Sequence, residues 1–468
     1  MYSLQRSILH RLSFCFVVGI SLIQGACASQ TKASDQPLSS LFENLQVPEV
    51  WGDPSSRQIE IAYLHLHSQG SAIPSFVFLG GPGESALDYD TMEDLRGAFG
   101  ALLASGDVII IEQRGGRASP TNLDCGSVVL PLDQPATRAG FDAAYEEALA
   151  NCAEIRDADL TGYTTDAIAQ DAEAIRAALH LDQINLSGGS FGAAQAYAYI
   201  QRYPEHVNRA VLTQFLPPQT SLAMPSTIDS YLHEMGDRVG PTLGIEEGGG
   251  DMLLTLARDV FESTEQEPVV ITVGDIQVTA GRTDLEVLTA LALRRTRDAR
   301  SLPILFSQMQ QGDFTFVGQV MLQFYRNGLP VNAAALALDC ADLNHPELRG
   351  QFEMDLEASL AGPGSNIPFP DVCDHIAHGW NATAPLPDST LNRVPTLIIQ
   401  GELDARARDE VLVEWINKQP NTRLLTIQNA THDLGRSVSS TVGEQIDEIE
   451  AEFLLTGRWP DMSAIDLP

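Results

Sequence analysis

Basic residues are scarce in this 468-residue chain: 28 Lys and Arg stand against 62 Asp and Glu, a formal net charge of −34. Such an acidic surface repels phosphates and anionic headgroups, which argues against nucleic acid and anionic membrane as partners. Long apolar runs are lacking too; the best, Phe14 to Ile23, is too short to span a bilayer comfortably. There is no internal repeat or low-complexity tract, so solenoids and arrays are set aside. Six cysteines are present, but their spacings suit no zinc site. His375 and His378 beside Cys373 do not change that reading, and neither metal nor cofactor is expected.

What is present begins with an export signal over residues 1–28. Arg6 and Arg11 form a basic flank, the short apolar run follows, and small residues close it. Ala26-Cys27-Ala28 fits an A-x-A cleavage site, while Gly25-Ala26-Cys27 resembles the lipid-attachment box of bacterial lipoproteins; both outcomes stay open. In the second, Cys27 carries the lipid, residues 29–40 form a flexible tether, and that anchor is the membrane contact. The expected location is periplasmic, extracellular or lipid-anchored in the bacterial envelope. Outside the signal remain Cys125, Cys152, Cys340 and Cys373. Export permits disulfides, and of the three possible pairings Cys125 with Cys152 and Cys340 with Cys373 are expected, because each closes a local loop.

Short apolar runs alternate with helical patterns, which predicts an α/β protein with a mostly parallel sheet flanked by helices. Strands are expected at Ile59–Leu66, Ser75–Leu79, Val108–Ile111, Ile184–Leu186, Ala210–Leu212, Thr396–Ile399 and Arg423–Ile427. The Asp166–Leu179 segment has apolar residues at helical spacing, with Thr165 placed to cap it. Between Pro217-Pro218 and Val394 the pattern is mainly helical, broken by an alternating run from Val269 to Thr279 that reads as a hairpin across Gly274-Asp275. Residues 218–392 are therefore expected to form a large helical lid, inserted before the penultimate core strand. The core is expected to comprise 41–217 and 393–468.

The chemistry centres on Gly188-Gly189-Ser190-Phe191-Gly192, a G-x-S-x-G motif between a strand-like and a helix-like segment. Glycines flank the serine because a nucleophile on a tight strand-to-helix turn has no room for neighbouring side chains. A serine hydroxyl needs a general base, and the base needs an orienting carboxylate, in chain order Ser, acid, His. His432, just after the strand Arg423–Ile427, is the expected base. Asp404, in the loop after Thr396–Gln400, is the expected acid, with Glu402 and Asp409 as competitors; Asp433 reads as a cap. The oxyanion donors expected are the amides of Phe191 and of Gly81, in the Gly80-Gly81-Pro82-Gly83 loop.

These residues resemble the proline iminopeptidase and tripeptidyl aminopeptidase family of α/β-hydrolases. The resemblance rests on Gly80 to Gly83 with Glu84-Ser85-Ala86, on Glu112 to Ser119, on Tyr163-Thr164-Thr165, on Gly188 to Gly192, on Tyr203-Pro204, and on Asp404 and His432. It implies a serine exopeptidase acting on peptides with a free N-terminus, through a Ser-His-Asp triad and an acyl-enzyme. It also implies that lid acids hold the substrate ammonium, with Asp339, Asp342, Glu347 and Asp374 as candidates, and that loop and lid cysteines pair as in the secreted tripeptidyl branch. Leu79 replaces the His that often opens the glycine motif, Glu112 stands where Asp is commoner, and the base lies in Thr-His-Asp rather than Gly-His-Gly. These departures bear on proline specificity and leave the triad intact. Glu112 and Arg114 read as an ion pair or loop brace. Two other functions share the residues: an ester hydrolase with the same triad, and a non-catalytic binding protein on the same fold.

Overall fold

A computed structural model describes residues 37–468 except 218–222, 327, 344–345, 365, 367–370, 377–391, 407–408, 464 and 468. The segment expected to be an export signal, Cys27 and most of the expected tether lie outside the described residues. In chain order the strands are β1 (Glu43–Pro48), β2 (Gln58–Leu66), β3 (Ser75–Phe78), β4 (Val108–Ile111), β5 (Asp124–Val128), β6 (Ile184–Gly189) and β7 (Val207–Thr213). After them come β8 (Val269–Val273), β9 (Ile276–Ala280), β10 (Leu329–Asn332), β11 (Thr396–Gly401), β12 (Thr422–Gln428) and β13 (Ile465–Asp466).

Nine of these form one sheet in the order β1-β2-β4-β3-β6-β7-β11-β12-β13. Pairing from β4 to β13 is parallel, and β1 and β2 join antiparallel at one edge. Parallel strands are covered by helices on both faces, so they read as unbroken apolar runs. Val108, Ile109, Ile110 and Ile111 are each at most 1% exposed. One face of the sheet packs on the helices Thr165–Ala178 and Phe191–Arg202, the other on Ser440–Thr456.

The expected strands are present, β4 with the bounds expected, β3 one residue shorter and the rest slightly longer, but β1 and β13 of this sheet, like β5 and β10, were not foreseen. β1 shows no clean alternation, and β13 has only two residues. With β13 at the edge, the insertion precedes the last three strands of the sheet rather than the last two. The helix expected from Asp166 runs from Thr165 to Ala178, and its cap is Thr164, not Thr165. A capping hydroxyl accepts the amide three residues on, and here Thr164 Oγ1 accepts Ala167 N–H at 3.1 Å.

The insertion carries the helices Pro225–Val239, Gly249–Gln266, Arg282–Ala292, Thr296–Gln310, Thr315–Arg326, Ala333–Leu343, Pro346–Ala358 and Val372–Ile376, with the β8–β9 hairpin turning at Gly274-Asp275. It is not built from residues 218–392 alone. The segment after β4 leaves the sheet, β5 pairs antiparallel with β10, and the helix Arg138–Asn151 follows. Phe141, Tyr145 and Leu149 share one apolar cluster with Leu232, Phe261 and Phe306 of the insertion. Cys125–Cys152 closes this excursion, and Cys340–Cys373 ties Ala333–Leu343 to Val372–Ile376. No described helix is long and apolar enough to cross a membrane.

Candidate active site

Ser190 occupies the turn from β6 into the helix Phe191–Arg202, with φ at 56°. A positive φ costs a residue with a side chain on the order of 1–3 kcal/mol, and it persists only where the surroundings over-determine it. They do: Ser190 N–H donates to Thr213 O on β7 at 2.9 Å, and Ser190 O accepts Ala193 N–H at 2.9 Å. A Cβ on Gly188 would collide with the Gly192 carbonyl, and one on Gly192 with the Phe78 carbonyl of β3. The motif's outer glycines are therefore required by close backbone approach.

The loop after β12 brings His432 to this turn. His432 Nε2 lies 2.9 Å from Ser190 Oγ, and His432 Nδ1 lies 2.8 Å from Asp404 Oδ2. Asp404 is fully buried in the loop after β11. The same oxygen also accepts Gln400 Nε2 at 2.6 Å, and Oδ1 accepts Arg406 N–H at 3.0 Å. A buried carboxylate with three donors has its charge satisfied and its position set. The structure thus joins Ser190, His432 and Asp404 in one hydrogen-bonded line.

Glu402 points elsewhere: it accepts Asn429 N–H at 2.9 Å and pairs with Arg238 at 2.9 Å. The Asp409 side chain lies outside the described residues. Asp433 caps a junction, since its Oδ1 accepts Thr296 N–H at 3.1 Å, Thr296 Oγ1 at 2.6 Å and Gly435 N–H at 3.0 Å, and its Oδ2 accepts Ser437 N–H at 3.0 Å. Thr296 belongs to the insertion, so Asp433 links it to the loop that carries His432.

Phe191, the first residue of the helix after Ser190, directs its amide out of a helix N-terminus. In the glycine loop, Gly80 N–H donates to Glu84 Oε2 at 3.0 Å and Gly83 N–H to Gln113 Oε1 at 2.8 Å, while Pro82 has no N–H. Among the four residues Gly80 to Gly83, these bonds leave the amide of Gly81 unengaged. Burial raises the pKa of Glu84 above the ordinary carboxyl range.

The sequence pattern assigns Gln113 no role apart from its neighbours. Besides holding Gly83, its Nε2 donates to Gly80 O at 2.8 Å and Leu79 O at 3.1 Å. The signal the sequence carries is a glutamine just after an apolar strand, near a glycine-rich loop whose backbone groups need partners. Arg114 makes a buried bidentate pair with Asp171, at 2.8 and 2.7 Å, not with Glu112. Glu112 accepts Ala86 N–H at 2.7 Å, and burial pushes its pKa up to about 7.

Of the candidate lid acids, Asp374 is paired with Arg349 at 2.7 Å, and Asp339 acts electrostatically on Tyr145 and Arg406. The side chains of Asp342 and Glu347 lie outside the described residues.

The sheet order, the serine turn and the loops that meet there are those of the α/β-hydrolase fold. The family described as the alpha/beta hydrolase fold matches residues 74–241. Within that fold the chain resembles the proline iminopeptidase and tripeptidyl aminopeptidase group. Tripeptidyl aminopeptidases of Streptomyces coelicolor and Streptomyces lividans are each 28% identical to it over 187 residues, 37% of this chain and 34% of theirs. The match spans about a third of the length of these curated relatives. Among solved structures, a proline iminopeptidase-related protein of Thermus thermophilus is 14% identical with a TM-score of 0.41, covering 89% of this chain and 99% of its own. Proline iminopeptidase of Mycobacterium smegmatis is 16% identical with a TM-score of 0.37, covering 88% and 97%.

Proposed function

We propose that the protein is an exported serine aminopeptidase that removes N-terminal residues from peptides with a free amino group. The observation that carries this reading is the line Ser190 Oγ, His432 Nε2 and Nδ1, Asp404 Oδ2, with steps of 2.9 and 2.8 Å. Support for a peptide substrate comes from the tripeptidyl aminopeptidases that the chain resembles. Support for export comes from the two disulfides, bonds that persist in oxidising compartments, and from the basic and apolar pattern of residues 1–28.

Ser190 Oγ attacks the scissile carbonyl while His432 Nε2 takes its proton. Asp404 keeps His432 in the tautomer with hydrogen on Nδ1 and stabilises the imidazolium that forms. The carbonyl oxygen becomes an oxyanion and is met by the Phe191 and Gly81 amides. His432 then protonates the leaving amine, which departs and leaves an ester on Ser190. A water, deprotonated by His432, hydrolyses that ester and restores the serine.

The test compares a tripeptide anilide with a free N-terminus against its N-acetylated form. Turnover of the free form alone is expected. Equal turnover of both, with good turnover of simple esters, would move the reading to a carboxylic-ester hydrolase with the same triad. Ser190→Ala should lower the rate by on the order of a million-fold. Wild-type turnover by that variant would remove Ser190 from the mechanism and reopen a binding role.

A further inference from the structure

We infer that the chain carries a divalent transition-metal site at the end of the sheet opposite Ser190, formed by His65, His67 and Asp107. The ladder itself creates it. β2 and β4 pair antiparallel with His65 opposite Ile109 and Leu66 opposite Val108. Continuing that register by one pair sets residue 67 across from residue 107. Side chains two apart on a strand share a face, as do those of directly opposed residues. His65, His67 and Asp107 therefore lie on one face, where the carboxyl ends of the parallel strands, and Ser190 with them, are far away.

The side chains converge as this predicts. Asp107 Oδ2 lies 2.8 Å from His65 Nε2 and 3.2 Å from His67 Nδ1, and the three ligand atoms all fall within 4.8 Å of one another. An ion with bonds of roughly 2.0–2.1 Å in a tetrahedral shell spaces its ligand atoms by about 3.3 Å; the 3.2 Å separation already matches this, and the 2.8 Å hydrogen bond would open by about half an ångström on coordination. The two imidazole rings stand 4.0 Å apart at 43°, inclined rather than stacked flat.

The carboxylate is also oriented from behind. Asp107 Oδ1 accepts Ser68 N–H at 2.8 Å, which leaves Oδ2 facing the histidines. Ser68 Oγ in turn donates to Leu103 O at 2.5 Å, so the loop that supplies this donor is itself fixed. Such outer partners set the direction of a metal ligand. His65 is mostly covered, whereas His67 has 74% of its side chain exposed, which leaves an open side for water as a fourth ligand and for entry of the ion.

Two imidazoles and one carboxylate are a borderline donor set that suits zinc, and nickel and copper in the same series, better than calcium or magnesium, which prefer all-oxygen shells. The bound ion would clip the end of β2 to the start of β4. Its role is then structural, distinct from the proposed hydrolysis.

The experiment is zinc titration of the full disulfide-bonded chain by calorimetry, with cobalt(II) absorption as a second readout. One zinc per chain is expected, with calcium in excess failing to displace it. His67→Ala, at an exposed position where folding is unaffected, should weaken zinc at least about tenfold and abolish the cobalt d–d bands. His65→Ala should do the same, and zinc should raise the melting temperature of the wild type but not of either variant. Absence of binding, equal affinity in wild type and His67→Ala, or displacement by calcium would each overturn the site; the last would assign binding to the acidic surface instead.

Discussion

Gln113 Oε1 accepts the Gly83 N–H at 2.8 Å, and so fixes the far end of the loop that carries the Gly81 amide. With Nε2 on Gly80 O and Leu79 O, one buried amide group holds the loop at three points. Gln113→Leu removes all three bonds without changing any group that would touch substrate. The expected outcome is a fall in kcat on the order of a hundredfold with KM nearly unchanged, because a displaced oxyanion donor affects the transition state more than the bound substrate. Steady-state kinetics separate the two, and an unaltered kcat would show that the loop keeps its shape without Gln113.

Asp404→Asn preserves the volume of the buried carboxylate but offers His432 an amide in its place. The imidazole is then free to adopt the wrong tautomer. A loss in kcat on the order of ten-thousandfold is expected, with the fold intact by circular dichroism. Glu402→Gln, at the competing carboxylate in the same loop, should change kcat little because Glu402 faces Arg238 and Asn429.

Asp433→Ala tests the junction between the insertion and the core. Five donors lose their acceptor, among them the buried Thr296 N–H. Leaving such groups unpaired costs on the order of 3 kcal/mol. The urea midpoint should drop accordingly; a midpoint equal to the wild type would mean that water replaces Asp433 in full.

Glu112 makes stability depend on pH. Burial pushes its carboxyl up to about 7, whereas an unfolded Glu titrates near 4.3, so the folded chain holds this proton more tightly. That contribution is fully present below about pH 4.3 and is lost as pH rises through about 7. Glu112→Gln keeps the shape and removes the titration. Unfolding in urea at pH 5 and pH 7.5 should show the wild type losing up to roughly 3 kcal/mol more than the variant over that interval. A parallel pH response in both proteins would place Glu112 outside the titration. Glu286 and Glu450, raised to about 7 by burial as well, add to the wild-type slope with the same sign and remain in the variant.

Local physics was enough for much of the fold. Val108 to Ile111 reads as a strand buried on both faces, and Gly274-Asp275 between alternating residues reads as a hairpin turn, as the structure has them. The order Ser190, Asp404, His432 was likewise readable, because each follows its own strand. Segments lacking such periodicity were not: β1, β13, and the β5 excursion, whose partner β10 is some two hundred residues further on.

The sequence by itself pointed to the layered α/β core, a mainly helical insertion and the residue types that meet at Ser190, because these follow from periodicity and turn chemistry, and it favoured the two local cysteine pairs among three possible pairings because each closes a short loop. Only the tertiary structure decided which side chains share a bond across the fold. Asp404 rather than Glu402 faces His432, Gln113 rather than Glu112 holds the glycine loop, Arg114 pairs with Asp171, and His65, His67 and Asp107 share one face of the ladder. A strand pattern says which way a side chain points but not which strand lies beside it. That neighbour is set by how the whole sheet is wound, and the chemistry is set by the neighbour.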